Sequence, residues 1–411
     1  GASTGHDSIF AGAGNDGIIV SGEAHTNLAS WTIDGGDGTD TLTLDITTTL
    51  VDSDFLHVSN VEKLELTGAS TVTVGTNANN AGITKVVVDA ADTTVNVSTA
   101  AFTVDASNLG NLGSNHTLTL GGAGTITVTG SNDNAETYVF NPTTSLVSGN
   151  LDVITNYQSG TDKIKFGATL TAVADHLTTA AVNSPRIDDG FATFAEADST
   201  ISKKVASLQA YATSLTDQAV AFSDGTDTYI FYTGTSATGT ANDQLIKLAG
   251  LKSGSMVIDT NVITRLPIPL TVTSATGTST AIQAAFDAYT GVKASVVGTG
   301  LDAASVTVVV GSVAKIKAGG LSAIALSPSQ FATSGITTAL ATGGATVVAT
   351  GATAGQITAL ANNPTKIHAL GITGTGLALN ATEFAAIGSK LADAVTDVTV
   401  NATGAVSYTH L

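Results

Sequence analysis

The chain has 411 residues, of which only 12% are charged, and its 15 Lys and Arg against 33 Asp and Glu give a formal net charge of −18. This charge argues against a nucleic-acid partner, since a phosphate backbone needs a basic surface. Hydrophobic residues at 43% exclude intrinsic disorder, and the absence of cysteine excludes disulfides and thiolate metal sites. No apolar run is long enough to predict a transmembrane segment.

A repeat rich in glycine and aspartate lies near the start of the sequence. GHDSIF at residues 5–10 recurs nine residues later as GNDGII at residues 14–19, and GGDGTDTLT at residues 35–43 is a complete copy of G-G-x-G-x-D-x-U-x. Glycine permits turns closed to other residues, and aspartate supplies the hard oxygen that Ca²⁺ prefers. The candidate calcium-site residues in these turns are Gly5, Asp7, Gly12, Gly14, Asp16, Gly35, Gly36, Gly38 and Asp40.

These turns resemble the calcium-binding β-roll of the repeats-in-toxin (RTX) family of secreted bacterial proteins. The resemblance implies a parallel β-roll over residues 1–45, with half-coils of nine residues and calcium as the cofactor. The alternative is a series of ordinary Gly/Asp hairpins stabilised by Asx turns, which would bind no ion.

Residues 46–129 contain short segments rich in threonine and valine, in which apolar and polar residues alternate and which Gly, Asn and Asp separate. Residues 72–74, 95–97 and 117–120 are examples. Alternation with a period of two predicts half-buried strands. Their close repetition favours a β-solenoid, and a β-sandwich is the second choice.

Residues 130–259 resemble the module that follows calcium rolls in RTX-type and surface-layer proteins, with Asn156 where the usual motif has a second Asp. We expect a mixed β domain with one amphipathic helix near residues 196–215. Gly-Thr-Asp precedes a predicted strand at Asp162 and Asp227, as it does at Asp40. Asp162 and Asp227 are therefore further candidate calcium ligands, and capping of a tight turn is an equally good explanation of both.

Residues 260–270 contain two of the six prolines and predict an extended linker. Beyond them, residues 271–405 contain capping-box starts at Thr280, Ser327, Thr353 and Asn380, with a degenerate copy near Asp302. Units of about 26 residues predict a C-terminal α/β solenoid-like region, and a plain mixed α/β domain is the alternative. Residues 406–411 look like a translated sequencing adaptor, and a genuine exposed tail is the alternative.

The sequence contains no H-E-x-x-H zinc motif, no G-x-S-x-G nucleophile motif and no phosphate-binding loop. We therefore expect a protein that is not an enzyme, although paired carboxylates of a glycoside hydrolase would leave no sequence motif. The fold class expected for the whole chain is mainly β: a calcium-binding parallel β-roll and β-solenoid, a mixed β domain with one helix, and α/β repeats.

The combination predicts a calcium-dependent structural protein of the bacterial cell surface, a surface-layer or surface-array component that folds and assembles after export. Its expected partners are further copies of itself, with cell-surface polysaccharide or a host or matrix ligand as further candidates, and no nucleic acid. The RTX resemblance implies type I secretion and an extracellular location. The alternatives are the stalk of a large RTX adhesin and the non-catalytic carrier region of a secreted hydrolase.

Overall fold

The computed structural model describes residues 7–21, 28–45, 47–112, 116–132, 135–141, 151–167, 169–212, 215–234, 243–266, 270–273, 277–289, 294–393 and 395–401. Strands hold 40% of the residues and helices 22%, so the chain is mainly β, as the sequence predicts. It divides into two compact units, Gly1–Ile268 and Pro269–Leu411. Gly5 and the predicted adaptor segment 406–411 lie outside the described residues.

The first unit is built almost entirely from short strands. They are β1 (Ser8–Phe10), β2 (Gly17–Ser21), β3 (Thr32–Asp34), β4 (Thr41–Asp45), β5 (Thr49–Leu50), β6 (Val58–Ser59), β7 (Lys63–Leu66), β8 (Thr71–Val74), β9 (Lys85–Val88), β10 (Thr93–Val97), β11 (Ala101–Asp105), β12 (His116–Gly122), β13 (Thr125–Thr129), β14 (Glu136–Asn141), β15 (Asp152–Thr155), β16 (Lys163–Phe166), β17 (Thr171–Ala172), β18 (Arg186–Asp188), β19 (Phe191–Thr193), β20 (Gln218–Ser223), β21 (Thr228–Tyr232), β22 (Gln244–Leu248), β23 (Val257–Asp259) and β24 (Val262–Arg265). Its helices are α1 (Thr76–Asn80) and α2 (Ile201–Tyr211), with 3₁₀ turns at Leu28–Ser30, Asp52–Phe55 and Ser107–Leu112.

Three sheets organise these strands. One has the order β1-β3-β6, the second β23-β24-β16-β14-β12-β10-β8-β5, and the third β18-β19-β20-β21-β22-β15-β13-β11-β9-β7-β4-β2, with β17 beside β20. In the third sheet Gly17 pairs with Thr41, Thr41 with Lys63 and Lys63 with Lys85, all in parallel, so these neighbouring strands are separated by 24, 22 and 22 residues in the chain. The predicted regions 1–45, 46–129 and 130–259 therefore share sheets and lie within a single unit.

The alternating sequence explains which side of each strand is buried. In β10 Val95 and Val97 are fully buried, and in β13 Ile126 and Val128 are almost so, while Thr127 between the β13 pair stays half-exposed. A strand directs successive side chains to opposite faces, so the apolar residues of β10 and β13 enter one core. Each buried aliphatic side chain contributes about 1.5–3 kcal/mol relative to an exposed one.

The predicted amphipathic helix is α2. Its N-cap is Thr200, whose hydroxyl accepts a hydrogen bond from the Lys203 amide at 3.3 Å. Val205 and Leu208 on its buried side pack into a second hydrophobic cluster against the antiparallel strands β20, β21 and β22. The cap and the apolar spacing together place the helix, because the first orphan amides and the apolar stripe are both satisfied.

The predicted linker starts too early at residue 260. Residues 262–265 form β24, in which Ile263 is fully buried and pairs with Ile164 of β16. Leu266 is also fully buried in the core of the first unit. Residues 262–266 of the predicted linker therefore belong to the first unit, and Pro267 and Pro269 lie outside the described residues.

The second unit alternates strands and short helices. Its strands are β25 (Thr271–Val272), β26 (Ala294–Val297), β27 (Ile316–Ser322), β28 (Ile324–Leu326), β29 (Ala345–Val348), β30 (Ile367–Thr373), β31 (Ala378–Asn380) and β32 (Thr399–Asn401). Its helices are α3 (Ser279–Ala288), α4 (Ala303–Gly311), α5 (Pro328–Phe331), α6 (Ile336–Ala339), α7 (Ala354–Ala361) and α8 (Ala381–Ile387), with 3₁₀ turns at Val313–Lys315, Pro364–Lys366 and Gly388–Lys390. The strands pair in parallel as β25-β26-β27, β28-β29-β30 and β31-β32.

Three of the four predicted capping boxes are confirmed. Ser327, Thr353 and Asn380 each cap a helix while the Gln or Glu three residues later bonds back to the N-cap amide. The predicted start at Thr280 is wrong by two residues, because Thr278 is the N-cap of α3. The degenerate copy is α4, where the Asp302 carboxylate accepts from the Ser305 amide at 2.7 Å.

In the part of the chain that the structure describes, we find no helix with both the length and the apolar character needed to cross a bilayer.

Candidate metal centre

The two glycine-rich turns at residues 12–16 and 36–40 stack on one another. Ala13 pairs with Asp37 in parallel, the Asp37 amide donates to the Gly12 carbonyl at 2.8 Å, and the Gly14 amide donates to the Asp37 carbonyl at 2.8 Å. Strands β1 and β2 begin nine residues apart, as do β3 and β4, which agrees with the predicted nonapeptide spacing. The two stacked turns are nevertheless separated by more residues than two nonapeptides contain. The segment between β2 and its partner β4 is longer than a regular nonapeptide repeat would make it.

Close stacking explains the glycine at position 36. A Cβ there would overlap the carbonyl oxygen of Gly12, and the residue has a left-handed φ of +95°. Only glycine combines this conformation with such a close approach of two backbones. Gly12 has a similar φ of +108° but nothing within 4 Å of the position a Cβ would take.

Asp16 and Asp40 are brought together by this stacking. Asp40 is fully buried, and its Oδ1 accepts a hydrogen bond from the Asp16 amide at 2.7 Å. The Oδ2 atoms of Asp40 and Asp16 are both buried and have no hydrogen-bond partner among the described residues. A buried, unpartnered carboxylate oxygen is costly, and a cation would remove that cost. The donors are hard oxygens, so these residues fit Ca²⁺.

The contact between Asp16 and Asp40 is one case of a wider pattern. An acid just before or at the start of a strand accepts a hydrogen bond from the amide of its register partner one strand earlier. Glu62 accepts from the Asp40 amide at 2.7 Å, and Asp152 accepts from the Ile126 amide at 2.9 Å. Glu62 and Asp152 were not among the residues predicted from the sequence. The sequence feature that could have identified them is an acidic residue at or just before the start of a predicted strand, which recurs at roughly the spacing of paired parallel strands.

Both oxygens of Asp162 and both oxygens of Asp227 already have partners within the protein. Asp162 accepts from the amides of Glu136 at 3.2 Å and Gln158 at 2.7 Å, one on each oxygen. Asp227 accepts from the Gly250 amide at 2.7 Å and pairs with Lys247 at 2.7 Å, and these two contacts hold the pKa of its carboxyl below the usual value. Asp162 caps its own turn through the Gln158 amide, which favours capping over calcium binding for this residue. The Asp227 carboxylate instead accepts from the distant Gly250 amide, and the charge of Lys247 compensates it.

Asp7 lies apart from the pair formed by Asp16 and Asp40. Its backbone carbonyl accepts from the Thr32 amide at 2.9 Å, which places it at the start of β1. Among the described residues, Asp7, Asp16 and Asp40 do not form a cluster of three ligand atoms within 4.8 Å of one another. The structure thus brings together two of the three aspartates predicted in the turns.

A second acidic cluster, which the sequence analysis did not single out, contains Asp175, Asp188 and Asp189. Their ligand atoms lie within 4.8 Å of one another, and Asp175 is exposed while the other two are half-buried. Arg186 pairs with Asp188 at 2.9 Å, and the Asp189 amide donates to Asp175 at 2.9 Å. Arg186 therefore compensates one of the three carboxylates in this cluster.

No protein-family model, curated protein or solved structure matches this chain. The geometry of the stacked turns is therefore the basis on which a function can be proposed.

Burial raises the pKa of three carboxyl groups in the same unit, those of Asp152, Asp162 and Asp243. Burial raises the pKa of Asp152 to about 6, against the opposing hydrogen bond from the Ile126 amide. Burial raises the pKa of Asp162 to about 7, and the Glu136 carboxylate adds to the rise while two amide hydrogen bonds oppose it. The folded chain binds these protons more tightly than the unfolded chain, where the pKa is about 3.9. Their stabilising contribution is therefore present below about pH 4 and lost as the pH rises through 6 and 7.

We expect the melting temperature, measured with chelator present, to fall between about pH 5 and pH 8. Asp152→Asn stays neutral at every pH and keeps an acceptor for the Ile126 amide. The melting temperature of this variant should fall less over that pH range than the melting temperature of the wild type. Near pH 8 it should exceed that of the wild type, because the variant avoids the cost of about 1–3 kcal/mol for burying an ionised carboxylate. The exposed Asp92→Asn is the matched control and should leave the slope unchanged. Equal slopes in Asp152→Asn and the wild type would contradict the role of Asp152.

Proposed function

We propose that this chain is a non-enzymatic, calcium-dependent structural protein of the bacterial cell surface, a surface-layer or surface-array component. In this proposal residues 1–45 act as a calcium-binding β-roll, the parallel strands after them continue it as a β-solenoid, and the C-terminal unit is an α/β solenoid. The observation that carries the proposal is the fully buried Asp40, whose unpartnered Oδ2 lies in a glycine turn stacked on that of Asp16.

Calcium between the stacked turns would neutralise Asp16 and Asp40 and hold the two coils in register. The turns adopt this arrangement only when β2 pairs with β4, so the site does not exist in the unfolded chain. Binding free energy then becomes folding free energy, about 2.7 kcal/mol when the free ion is at 100 times its Kd. A chain of net charge −18 would remain open where calcium is scarce and fold after export.

The rest of the first unit supports a structural role. Most of its parallel strands bury apolar side chains in one cluster that runs from Ile18 to Leu266, as a continuous stack of strands would, and a second cluster packs α2 against β20, β21 and β22. Ordering of the first turns by calcium would propagate along such a stack, because each coil contacts its neighbours. Self-association into a lattice or array at the cell surface, with cell-surface polysaccharide or a host or matrix ligand as further partners, belongs to this proposal.

The test is thermal unfolding in calcium and in chelator, with Asp40→Asn as the decisive variant. We expect calcium to raise the melting temperature of the wild type. Asp40→Asn removes an uncompensated buried charge, so its melting temperature in chelator should equal or exceed that of the wild type. In calcium the melting temperature of Asp40→Asn should be lower than that of the wild type, because the Asp40 carboxylate that would bind calcium is lost.

Asp37→Asn is the matched control, since Asp37 is an exposed aspartate in the same turn. It should keep the full response to calcium. Identical melting of the wild type in calcium and chelator would refute the proposal, and so would an undiminished calcium response in Asp40→Asn.

A further inference from the structure

A cavity of about 360 Å³ lies in the first unit where β19, the loop after it and α2 meet the end of β20. Phe191 and Phe194 contribute aromatic surface, and Glu196, Asp198, Lys204 and Ser223 contribute polar groups. A mostly apolar concavity of this size with a few convergent polar groups has the general form of a small-molecule site. It contains none of the candidate calcium ligands.

Asp198 is the buried carboxylate of this cavity, and one of its oxygens lacks a partner among the described residues. The residue is only 5% exposed, and its Oδ2 is buried with no hydrogen-bond partner among the described residues. Its backbone is fixed, since the Asp198 amide donates to the Ala195 carbonyl at 2.9 Å. Buried carboxylate oxygens are normally satisfied, so this one is missing a donor.

Lys204 supplies the complementary donor. Its ammonium donates to the Ser223 carbonyl at 3.1 Å and lies 5.7 Å and 5.9 Å from the ring centroids of Phe194 and Phe222. One hydrogen bond leaves two of its three N–H groups for a ligand. Phe194 and Phe222 meet edge to face at 5.4 Å, which keeps the aromatic wall rigid.

We propose that this cavity binds a neutral sugar, one ring of a polysaccharide or a free monosaccharide. A hydroxyl group both donates and accepts, so neighbouring hydroxyls on one ring can satisfy Asp198 and Lys204 together. The apolar C–H face of the ring would pack against Phe191 and Phe194. The ammonium of Lys204 would repel a simple cation, and the carboxylates of Asp198 and Glu196 would repel an anion, so a neutral ligand fits best.

The experiment is saturation-transfer NMR on the full chain in calcium-containing buffer, with D-glucose, D-galactose, D-mannose and N-acetyl-D-glucosamine as probes. At least one of them should bind saturably. Asp198→Ala and Phe194→Leu should each weaken that binding about tenfold, which corresponds to about 1.4 kcal/mol. Asp259→Asn, an exposed acid in the same unit, is the control and should bind as the wild type does. Thermal melting establishes that each variant is folded.

Absence of binding by all four sugars to the folded wild type would overturn the proposal. Undiminished binding by the folded Asp198→Ala variant would also overturn it, because the sugar would then sit elsewhere. Displacement of the sugar by glycine would assign the cavity to a zwitterion with an amino group at Asp198 and a carboxylate at Lys204. Asp40→Asn should leave sugar binding unchanged, so this outcome is separate from that of the calcium experiment.

Discussion

Replacing Gly36 by alanine is expected to lower the free energy of unfolding by about 3–5 kcal/mol, with a smaller loss of about 1–3 kcal/mol for Gly12→Ala. Both residues have left-handed φ angles, +95° and +108°, so both variants bear the backbone strain of a side chain in that region. Of these two variants, only Gly36→Ala also places its new Cβ in overlap with a backbone carbonyl oxygen, that of Gly12 in the stacked turn. The difference between the two variants therefore measures the stacking of the turns.

The measurement is urea unfolding of both variants and the wild type in calcium-containing buffer. A changed midpoint with an unchanged slope would show that stability, not the extent of unfolding, has altered. Gly36→Ala should also bind calcium more weakly, because the turns can no longer approach. Equal losses at the two positions would mean that the turns at residues 12–16 and 36–40 do not stack as described.

Phe166→Ala is expected to cost about 3–5 kcal/mol of stability. Phe166 in β16 is fully buried, and its ring stacks on that of Tyr232 in β21 at 4.6 Å with an interplanar angle of 6°. It also stacks on Phe140 of β14 at 5.8 Å. The ring therefore joins the eight-stranded sheet to the thirteen-stranded sheet, and its removal would leave a cavity that neither sheet can close.

Phe10→Ala is the matched control, since Phe10 is 71% exposed and its truncation should change stability by less than about 0.5 kcal/mol. Both variants are compared with the wild type by urea unfolding. A loss below about 1 kcal/mol in Phe166→Ala would contradict the packing of these two sheets around the ring.

The local elements were predictable from the sequence because their causes are local. Alternation of apolar and polar residues predicted β10 (Val-Asn-Val) and β12 (Thr-Leu-Thr-Leu), since neighbouring side chains of a strand face opposite sides. Capping residues located the starts of α5, α7 and α8, because a cap acts within three residues of the helix start. The shift of the α3 cap from Thr280 to Thr278 occurred where two hydroxyl residues compete within the same short stretch.

The pairing of strands was not predictable in this way. A regular nonapeptide repeat would pair Gly17 with a residue two nonapeptides further along the chain, but Gly17 pairs with the more distant Thr41. No local sequence feature indicates this difference, because the register depends on how the intervening chain packs. The candidate site shows the consequence. Asp40 and Asp162 follow the same Gly-Thr-Asp motif, yet Asp40 keeps an unpartnered oxygen while both oxygens of Asp162 accept amide hydrogen bonds.

By itself, the sequence determined that the protein is mainly β, where its glycine turns and its strands lie, and which helices are capped, since each of these follows from interactions within a few residues. The tertiary structure alone decided which turns stack, which carboxylates remain without a partner, and that Asp198 and Lys204 share a cavity. Those properties depend on residues far apart in the chain, such as Lys204 and Ser223, that meet only when the strands pair.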